Sequence, residues 1–404
     1  MFGPENYFSN YLDETHYHFY RTVRRFAEEE IAPYIFEWEE AEEFPRELYL
    51  KAGRAGILGP TVPEKYGGGS GDAFHAILLC EGLLWGKSAG VLAGLNSMTI
   101  AVPPILLLGN EEQKKRFVPP LVSGEKIAAL AVTEPNAGSD VAGIATKAVR
   151  KGDHYILNGA KTFITSGVRG DLITVLARTS DDPYAGLTFF VVEKNSPGFS
   201  VSSKLKKMGW WASDTAELAF EDCQVPVANR LGEEGTGFKA VMQNFLNERI
   251  RLAAYGHGIA EVALSEAERY VKERRAFGKA IGEFQVIQHK LARMSTLVRA
   301  SKTFNYQCAE MIRRGESPIE AVCQAKNFSY ESAKEVCDEA VQIFGGMGYM
   351  RETAVERLYR DVRVLGIGGG TLEIMNEIIA KQRGVKPQTP SHKKTSPAPK
   401  EKTL

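Results

Sequence analysis

Apolar and polar positions alternate in two different rhythms along this chain, and the rhythm changes twice. Up to about residue 125 the apolar residues recur at spacings of three and four. In DETHYHFYRTVRRFAEEEIAPYIFEWEEAEEF they are interleaved with acids and arginines, as in amphipathic helices. Pro45, the Gly53/Gly56/Gly59-Pro60 cluster and the YGGGSGD stretch at 66–72 punctuate this region. Phe74 to Trp85 and Val91 to Leu108 are apolar enough for buried helices, and GNEEQKKRFVPPLVSG predicts a helix closed by Pro119 and Pro120.

From about Lys126 to Asn229 the segments are short, β-rich and separated by turn residues: KIAALAVTEP, HYILNGAKTFIT, DLITVLART, LTFFVVE, FSVSSKL and TAELAFEDCQVP. Asn158-Gly159 predicts a hairpin turn, and Lys151-Gly152-Asp153, Asp181-Asp182-Pro183 and NSPG at 195–198 predict further turns. From Gly237 to about Arg383 the helical rhythm returns, broken near Phe277-Gly278, at RGESP (314–318), at FGGMGY (344–349) and at a glycine run. The end, GVKPQTPSHKKTSPAPKEKTL, has almost nothing to bury and predicts a disordered tail. The pattern gives an α+β multidomain chain: a helical domain over 1–125, a β domain over 126–235, a helical bundle over 236–385 and a tail over 386–404. Strands and helices are segregated rather than alternating, which argues against a doubly wound nucleotide fold.

Composition removes several functions. Lys plus Arg and Asp plus Glu both number 50 in a chain of 404 residues, so no net field recruits nucleic acid or an anionic membrane. The longest apolar runs are too short to span a bilayer, so no membrane insertion is expected. The start, MFGPENYFSNYLDE, is acidic and aromatic and lacks the basic and apolar regions of a signal peptide. A cytoplasmic protein, or a mature form whose presequence has been removed, is expected. Cys80, Cys223, Cys308, Cys323 and Cys337 are widely spaced with no CxxC, which argues against a disulfide framework or zinc. The histidines form no HExxH pair, and His16 and His18 would face different ways on a helix, so no metal site is expected.

Two features stand apart from packing. Phe238, Val241, Phe245, Leu252, Tyr255 and Ile259 form one helical stripe, and the vacant slot in it is filled by Glu248. A carboxylate on an apolar face either pairs with a cation or takes a raised pKa. Arg249 and Arg251 are near enough in sequence to supply that cation. A structural ion pair and a catalytic base both satisfy the pattern. The second feature is LGIGGGTLEIM, where Gly366, Gly368, Gly369 and Gly370 lead through Thr371 into a helical run. Such a run either cradles phosphate or marks the absence of a side chain.

Read together and in order, AVTEPNAGSDVAGIATKA, LNGAKTFITSG, FEDCQVP, YVKERRAFGKAIGEFQVIQHKLA and VQIFGGMGYM resemble the signatures of the acyl-CoA dehydrogenase family over residues 10–383. IGGGTLEIM is most similar to the long-chain and isovaleryl-CoA subgroups. The resemblance implies an N-terminal helical domain, a middle β-barrel or sandwich domain and a C-terminal four-helix bundle, assembled as a homotetramer. It implies FAD bound between the β domain and the C-terminal helices, partly against a neighbouring subunit. Leu130, Val132, Thr133, Gly138 and Ser139 would line the flavin, with Ser139 also near substrate. Phe163, Ile164 and Thr165 would continue that wall, Phe163 standing where many relatives carry tryptophan. Arg274, Phe277 and Gln285 would hold the adenosine diphosphate half, approached by the backbone of Gln342, Ile343, Gly345 and Gly346. Thr371 and Glu373 match further cofactor contacts, and Arg249 and Gly370 match substrate contacts.

Many relatives carry their catalytic glutamate at the position of Gly369. The two subgroups carry it on a C-terminal-domain helix before an arginine, which Glu248-Arg249 matches. The implied reaction is α,β-dehydrogenation of an acyl-CoA to a trans-2-enoyl-CoA. Glu248 would take the α-proton and hydride would pass to flavin N5, while the Gly369 N–H would remain half of the oxyanion site. Missing side chains at Gly368 and Gly369 would open space suited to long or branched acyl groups. Electron-transferring flavoprotein is the implied acceptor. A flavin-dependent oxidase or monooxygenase, or a non-catalytic acyl-CoA or partner-binding protein, are the alternatives on the same scaffold.

Overall fold

The computed structural model describes residues 8–385; the expected disordered tail lies outside them. Helix α1 (Glu14–Glu30) begins at Asp13, whose carboxylate accepts the N–H groups of Thr15 and His16 while the His16 ring accepts from the Asp13 N–H. This capping box satisfies donors that a helix start leaves orphaned. Short helices α2 (Ile35–Glu40) and α3 (Glu47–Arg54) follow. Helix α4 (Ala73–Leu83) repeats the start of α1 with Asp72 and His75, and nearly all its side chains are buried. The domain closes with α5 (Ala89–Leu95), α6 (Met98–Ala101), α7 (Pro103–Leu108), α8 (Glu111–Phe117) and α9 (Pro119–Val122). Pro119 and Pro120 therefore open a helix rather than merely closing one. Their missing N–H groups fall in the first turn, where an N–H would have no intrahelical acceptor.

The middle region is an eight-stranded sheet: β1 (Ala128–Ala131), β2 (Lys147–Lys151), β3 (His154–Thr165), β4 (Leu172–Arg178), β5 (Leu187–Glu193), β6 (Phe199–Lys204), β7 (Thr215–Pro226) and β8 (Arg230–Leu231). Its order is β6-β7-β3-β2-β4-β5-β8, with β1 parallel to β4. The expected hairpin at Asn158-Gly159 is absent, because β3 runs straight through it. The dipeptide sits at a register shift against β7, with Asn158 exchanging hydrogen bonds with Asp222. A Cβ on Gly159 would lie 2.4 Å from Thr146 Oγ1, so glycine here answers a close approach, not a turn. The turn is Gly152-Asp153, between β2 and β3.

The C-terminal region holds α10 (Gly237–Glu273), a short hairpin of β9 (Arg275–Ala276) and β10 (Lys279–Ala280), then α11 (Gln285–Arg313), α12 (Ile319–Phe344), α13 (Ala354–Val362) and α14 (Leu372–Gln382). Helix α10 packs on α11, α12 and α4. One continuous core runs through both helical regions and takes Leu172, Leu176, Phe189 and Val191 from one sheet face. The alternate residues Ile173, Val175, Phe190 and Val192 fill a second core within the β domain, as the two-residue period of a strand requires. The sheet is thereby welded to the helices through one face. No single described helix is long and apolar enough to cross a membrane.

Candidate active site

Helix α10 carries the Glu248 stripe as read, with Val241, Tyr255 and Ile259 buried. Neither expected ion pair forms. The Arg249 Nε donates to the Gly369 carbonyl at 3.3 Å, and the Arg251 Nη1 donates to the Thr99 carbonyl at 2.9 Å. Among the described residues Glu248 has no hydrogen-bond or ion-pair partner. Burial raises its pKa above the usual carboxylate range, against the lowering fields of Arg249, Lys326 and Arg251. The residue keeps some exposed surface, so its carboxylate is desolvated yet reachable.

The glycine run meets this carboxylate. A Cβ on Gly369 would lie 3.5 Å from Glu248 Oε1 and 2.3 Å from Leu252 Cδ1. Gly369 has φ +64° and Gly370 φ +96°, the left-handed region that glycine enters without penalty. The expectation of open space at Gly369 is therefore corrected, since Glu248 and Leu252 already fill it. At Gly368 only the Val364 carbonyl, at 3.6 Å, would be met. A Cβ on Gly370 would lie 3.8 Å from Arg249 Nη2, which puts Glu248, Arg249, Gly369 and Gly370 in one cluster. Sequence reading missed Lys326 of α12, whose Nζ donates to the Leu365 and Gly370 carbonyls at 3.0 and 2.8 Å. Thr371 caps α14 by accepting the Ile374 N–H, and Glu373 lies exposed in its first turn.

A second group lies on the β domain. The Thr162 N–H donates to the Thr133 carbonyl at 3.0 Å, joining β3 to the loop that carries Gly138 and Ser139. Gly138 and Ser139 are exposed, and Leu130, Thr133 and Thr165 are half-buried. Phe163 sits at a register shift with φ +59° and is 69% exposed, an aromatic face held outward at a backbone cost. Ile164 is 3% exposed with its side chain in the β-domain core, and Val132 is likewise buried, so any ligand contact falls to their backbone. The Val132 carbonyl is used by buried Lys161, which also pairs with Glu134 at 2.8 Å. Glu134 in turn accepts the Ala145 and Thr146 N–H groups. This pin fixes the loop that carries Thr133, Gly138 and Ser139.

A third group lies at the far end of α10. Arg274 and Gln285 are exposed, and Phe277 is 94% exposed. Arg274 has no side-chain partner among the described residues. Gln342, Gly345 and Gly346 are exposed, and a Cβ on either glycine would meet nothing within 4 Å. Ile343 is buried, so only its backbone is available. Tyr270 stacks on Phe344 at 4.1 Å, bringing these two segments together. At about 1.5 Å per residue, Arg274 lies roughly 39 Å along the helix from Glu248. One chain thus holds the Glu248 and Arg274 groups well apart.

Other clusters are accounted for. His16, Asp72 and His75 place ligand-type atoms within 4.8 Å of one another, and the two capping boxes and the His16–Asp72 hydrogen bond already employ them. An indentation of about 370 Å³ lined by Arg116, Gln113 and Arg230 lies at the seam of α8 with β8 and holds no expected site residue.

With the geometry in place, comparison with known proteins gives a consistent result. The family models for the acyl-CoA dehydrogenase N-terminal, middle and C-terminal domains match residues 13–125, 129–223 and 235–383. An acyl-CoA dehydrogenase of Bacillus subtilis is 42% identical over 363 residues, covering 89% of this chain and 96% of the relative. The mitochondrial long-chain specific acyl-CoA dehydrogenase of Sus scrofa is 40% identical over 367 residues, covering 90% and 85%. A crystal structure of acyl-CoA dehydrogenase from Geobacillus kaustophilus superposes with TM-score 0.88 at 43% identity, covering 92% of this chain and 99% of that one.

Proposed function

The chain belongs to the acyl-CoA dehydrogenase family of flavoprotein oxidoreductases, and from that premise we propose that it converts an acyl-CoA to its trans-2-enoyl-CoA with Glu248 as the base. The observation that carries this reading is the approach of Glu248 to Gly369: a carboxylate from α10, with no partner among the described residues, stands where a side chain at position 369 would reach.

The chemistry follows from the surroundings. A thioester acidifies its α C–H, and a desolvated carboxylate with a raised pKa is suited to accept that proton near neutral pH. The negative charge that develops on the thioester oxygen needs donors. The N–H groups of Gly369 and Gly370 have no acceptor among the described residues, and the left-handed backbone exposes them without a Cβ in the way. Ser139 and Arg249 contribute further polar contacts in this reading. As the α-proton moves to Glu248, the β-hydrogen leaves with its electron pair and the α,β double bond forms. FAD, when bound, supplies the hydride acceptor.

The residues present fit FAD. Phe163 offers an outward aromatic face, Gly138 a nearly open backbone, and Arg274 a guanidinium free to fork onto a phosphate. Gly345 and Gly346 border open space. The distance between Glu248 and Arg274 exceeds what one dinucleotide spans, so the Arg274 group would serve the cofactor of a neighbouring subunit, in keeping with a homotetramer. Electrons would leave to electron-transferring flavoprotein.

Anaerobic addition of acyl-CoAs of varied length and branching tests the reading. The yellow wild-type protein should bleach with one class. Glu248→Gln should retain FAD and lose turnover by at least about 100-fold; near-normal turnover in that variant would remove Glu248 as the base.

A further inference from the structure

Lys326 is a fully internal cation at 1% exposure, and among the described residues it forms no ion pair. A buried ammonium without a bonded carboxylate is expensive. A neutral amide could tether two backbone carbonyls at lower cost, so the charge itself calls for an explanation. Its two hydrogen bonds go to Leu365 and Gly370, the carbonyls that bracket the glycine run at its entry and exit. Between them, the Gly369 carbonyl is taken by Arg249. Outward-pinned carbonyls leave the run little freedom to rotate its peptide planes, and the amides of Gly369 and Gly370 stay unengaged. The run is further anchored by Asn327, the next residue on α12, which donates to the Leu372 carbonyl at 3.2 Å.

We infer that Lys326 is a positioning residue of the reaction: its two hydrogen bonds set the glycine run against Glu248, and its charge favours the ionised base. The inference rests on the proposed roles of Glu248 and Gly369. The charged and titratable groups around the pair are few. Glu248 feels Arg249, Arg251 and Lys326, while Lys326 feels Glu248, Arg249 and Cys323. Burial lowers the Lys326 pKa to about 8, so the cation persists through neutral pH. When the α-proton reaches Glu248 its charge is cancelled, and the fixed cations then face the negative charge transferred to the substrate oxygen. A preorganised cation beside such a relay needs no reorganisation as the charge moves.

The test compares Lys326→Met, Lys326→Gln and Lys326→Arg in the FAD-loaded enzyme, reading kcat and KM for acyl-CoA across pH, with FAD content as the folding control. Lys326→Met should keep FAD and change KM by less than about threefold while kcat falls on the order of 10- to 100-fold. Its acid limb should move to higher pH, because a cation favouring the carboxylate has gone. Lys326→Gln retains hydrogen bonding and tolerates the site if the methionine variant does not fold; it should show the same shifted limb with a smaller loss of kcat. Lys326→Arg should hold the limb near its wild-type position. An unmoved limb in both neutral variants, or an unchanged kcat, overturns the inference. Glu248→Gln run in parallel separates the two claims. If it turns over normally, the base assignment fails; if it is dead while the lysine variants behave as wild type, only the Lys326 role fails.

Discussion

Glu248 faces opposite demands from folding and from chemistry. Its raised pKa means that the native state binds a proton more readily than the unfolded chain does, so ionising the group costs stability. The sign is definite: this contribution is most favourable below the unfolded carboxylate pKa and is lost as pH rises through the elevated native value. Glu248→Gln mimics the protonated form and should therefore raise Tm at neutral pH while abolishing turnover, which a thermal melt and a rate assay read together. Activity has the opposite pH dependence. The rate should fall as pH drops through the raised pKa, on the alkaline side of an ordinary glutamate limb, and a pH profile of kcat checks it. Gly369 is equally constrained. In Gly369→Ala the methyl group meets Leu252 at 2.3 Å and the backbone is strained by its positive φ. That change should cost at least about 1 kcal/mol of stability and lower kcat more than it raises KM, as urea unfolding and steady-state kinetics would show.

At the scale of elements, regular segments were legible and long-range meetings were not. The stretches HYILNGAKTFIT, LTFFVVE and TAELAFEDCQVP coincide residue for residue with β3, β5 and β7, because β-branched and aromatic runs bounded by turn residues are visible locally, even in β5, which is buried on both faces. Asn158-Gly159 misled because the same dipeptide that makes a turn also relieves a crowded bulge, and only Thr146 decides between them. Glu248 was visible because it breaks an apolar stripe. Lys326 was not, because one lysine on an amphipathic helix looks like any solvated position until the chain forty residues onward folds against it. Packing between helices follows the same logic in the buried set at α4, α10 and α11. Lys302 of α11 bridges Glu81 of α4 at 3.1 Å and Glu261 of α10 at 2.9 Å. Burial lifts Glu81 to about 7 despite the lowering field of Lys302. Lys302→Met would leave two buried carboxylates without their cation, which costs about 3–5 kcal/mol. Denaturant unfolding of the FAD-saturated protein should show that loss, and the loss should shrink as pH falls and Glu81 takes up a proton.

At the scale of the whole molecule, two of the proposed ligand-facing groups lie far apart along one long helix. Helix α10 carries Glu248 about a third of the way along its length and delivers the chain to Arg274 just past its end, about 39 Å away by helical rise. On the proposed reading, a rigid helix of this length does not bring both residues to one cofactor, so a complete site would take Glu248 from one copy and Arg274 from another. This makes a complementation experiment decisive. Arg274→Met alone should bind FAD more weakly, by on the order of tenfold or more, since hydrogen bonds to a charged phosphate are lost. Glu248→Gln alone should bind FAD and remain inactive. Co-expressed, the two variants form mixed assemblies in which the methionine subunit's intact Glu248 lies beside the glutamine subunit's intact Arg274. At limiting FAD the mixture should exceed the summed activity of the separate variants. No gain on mixing would place Arg274 outside its neighbour's site and require another residue to hold the phosphates.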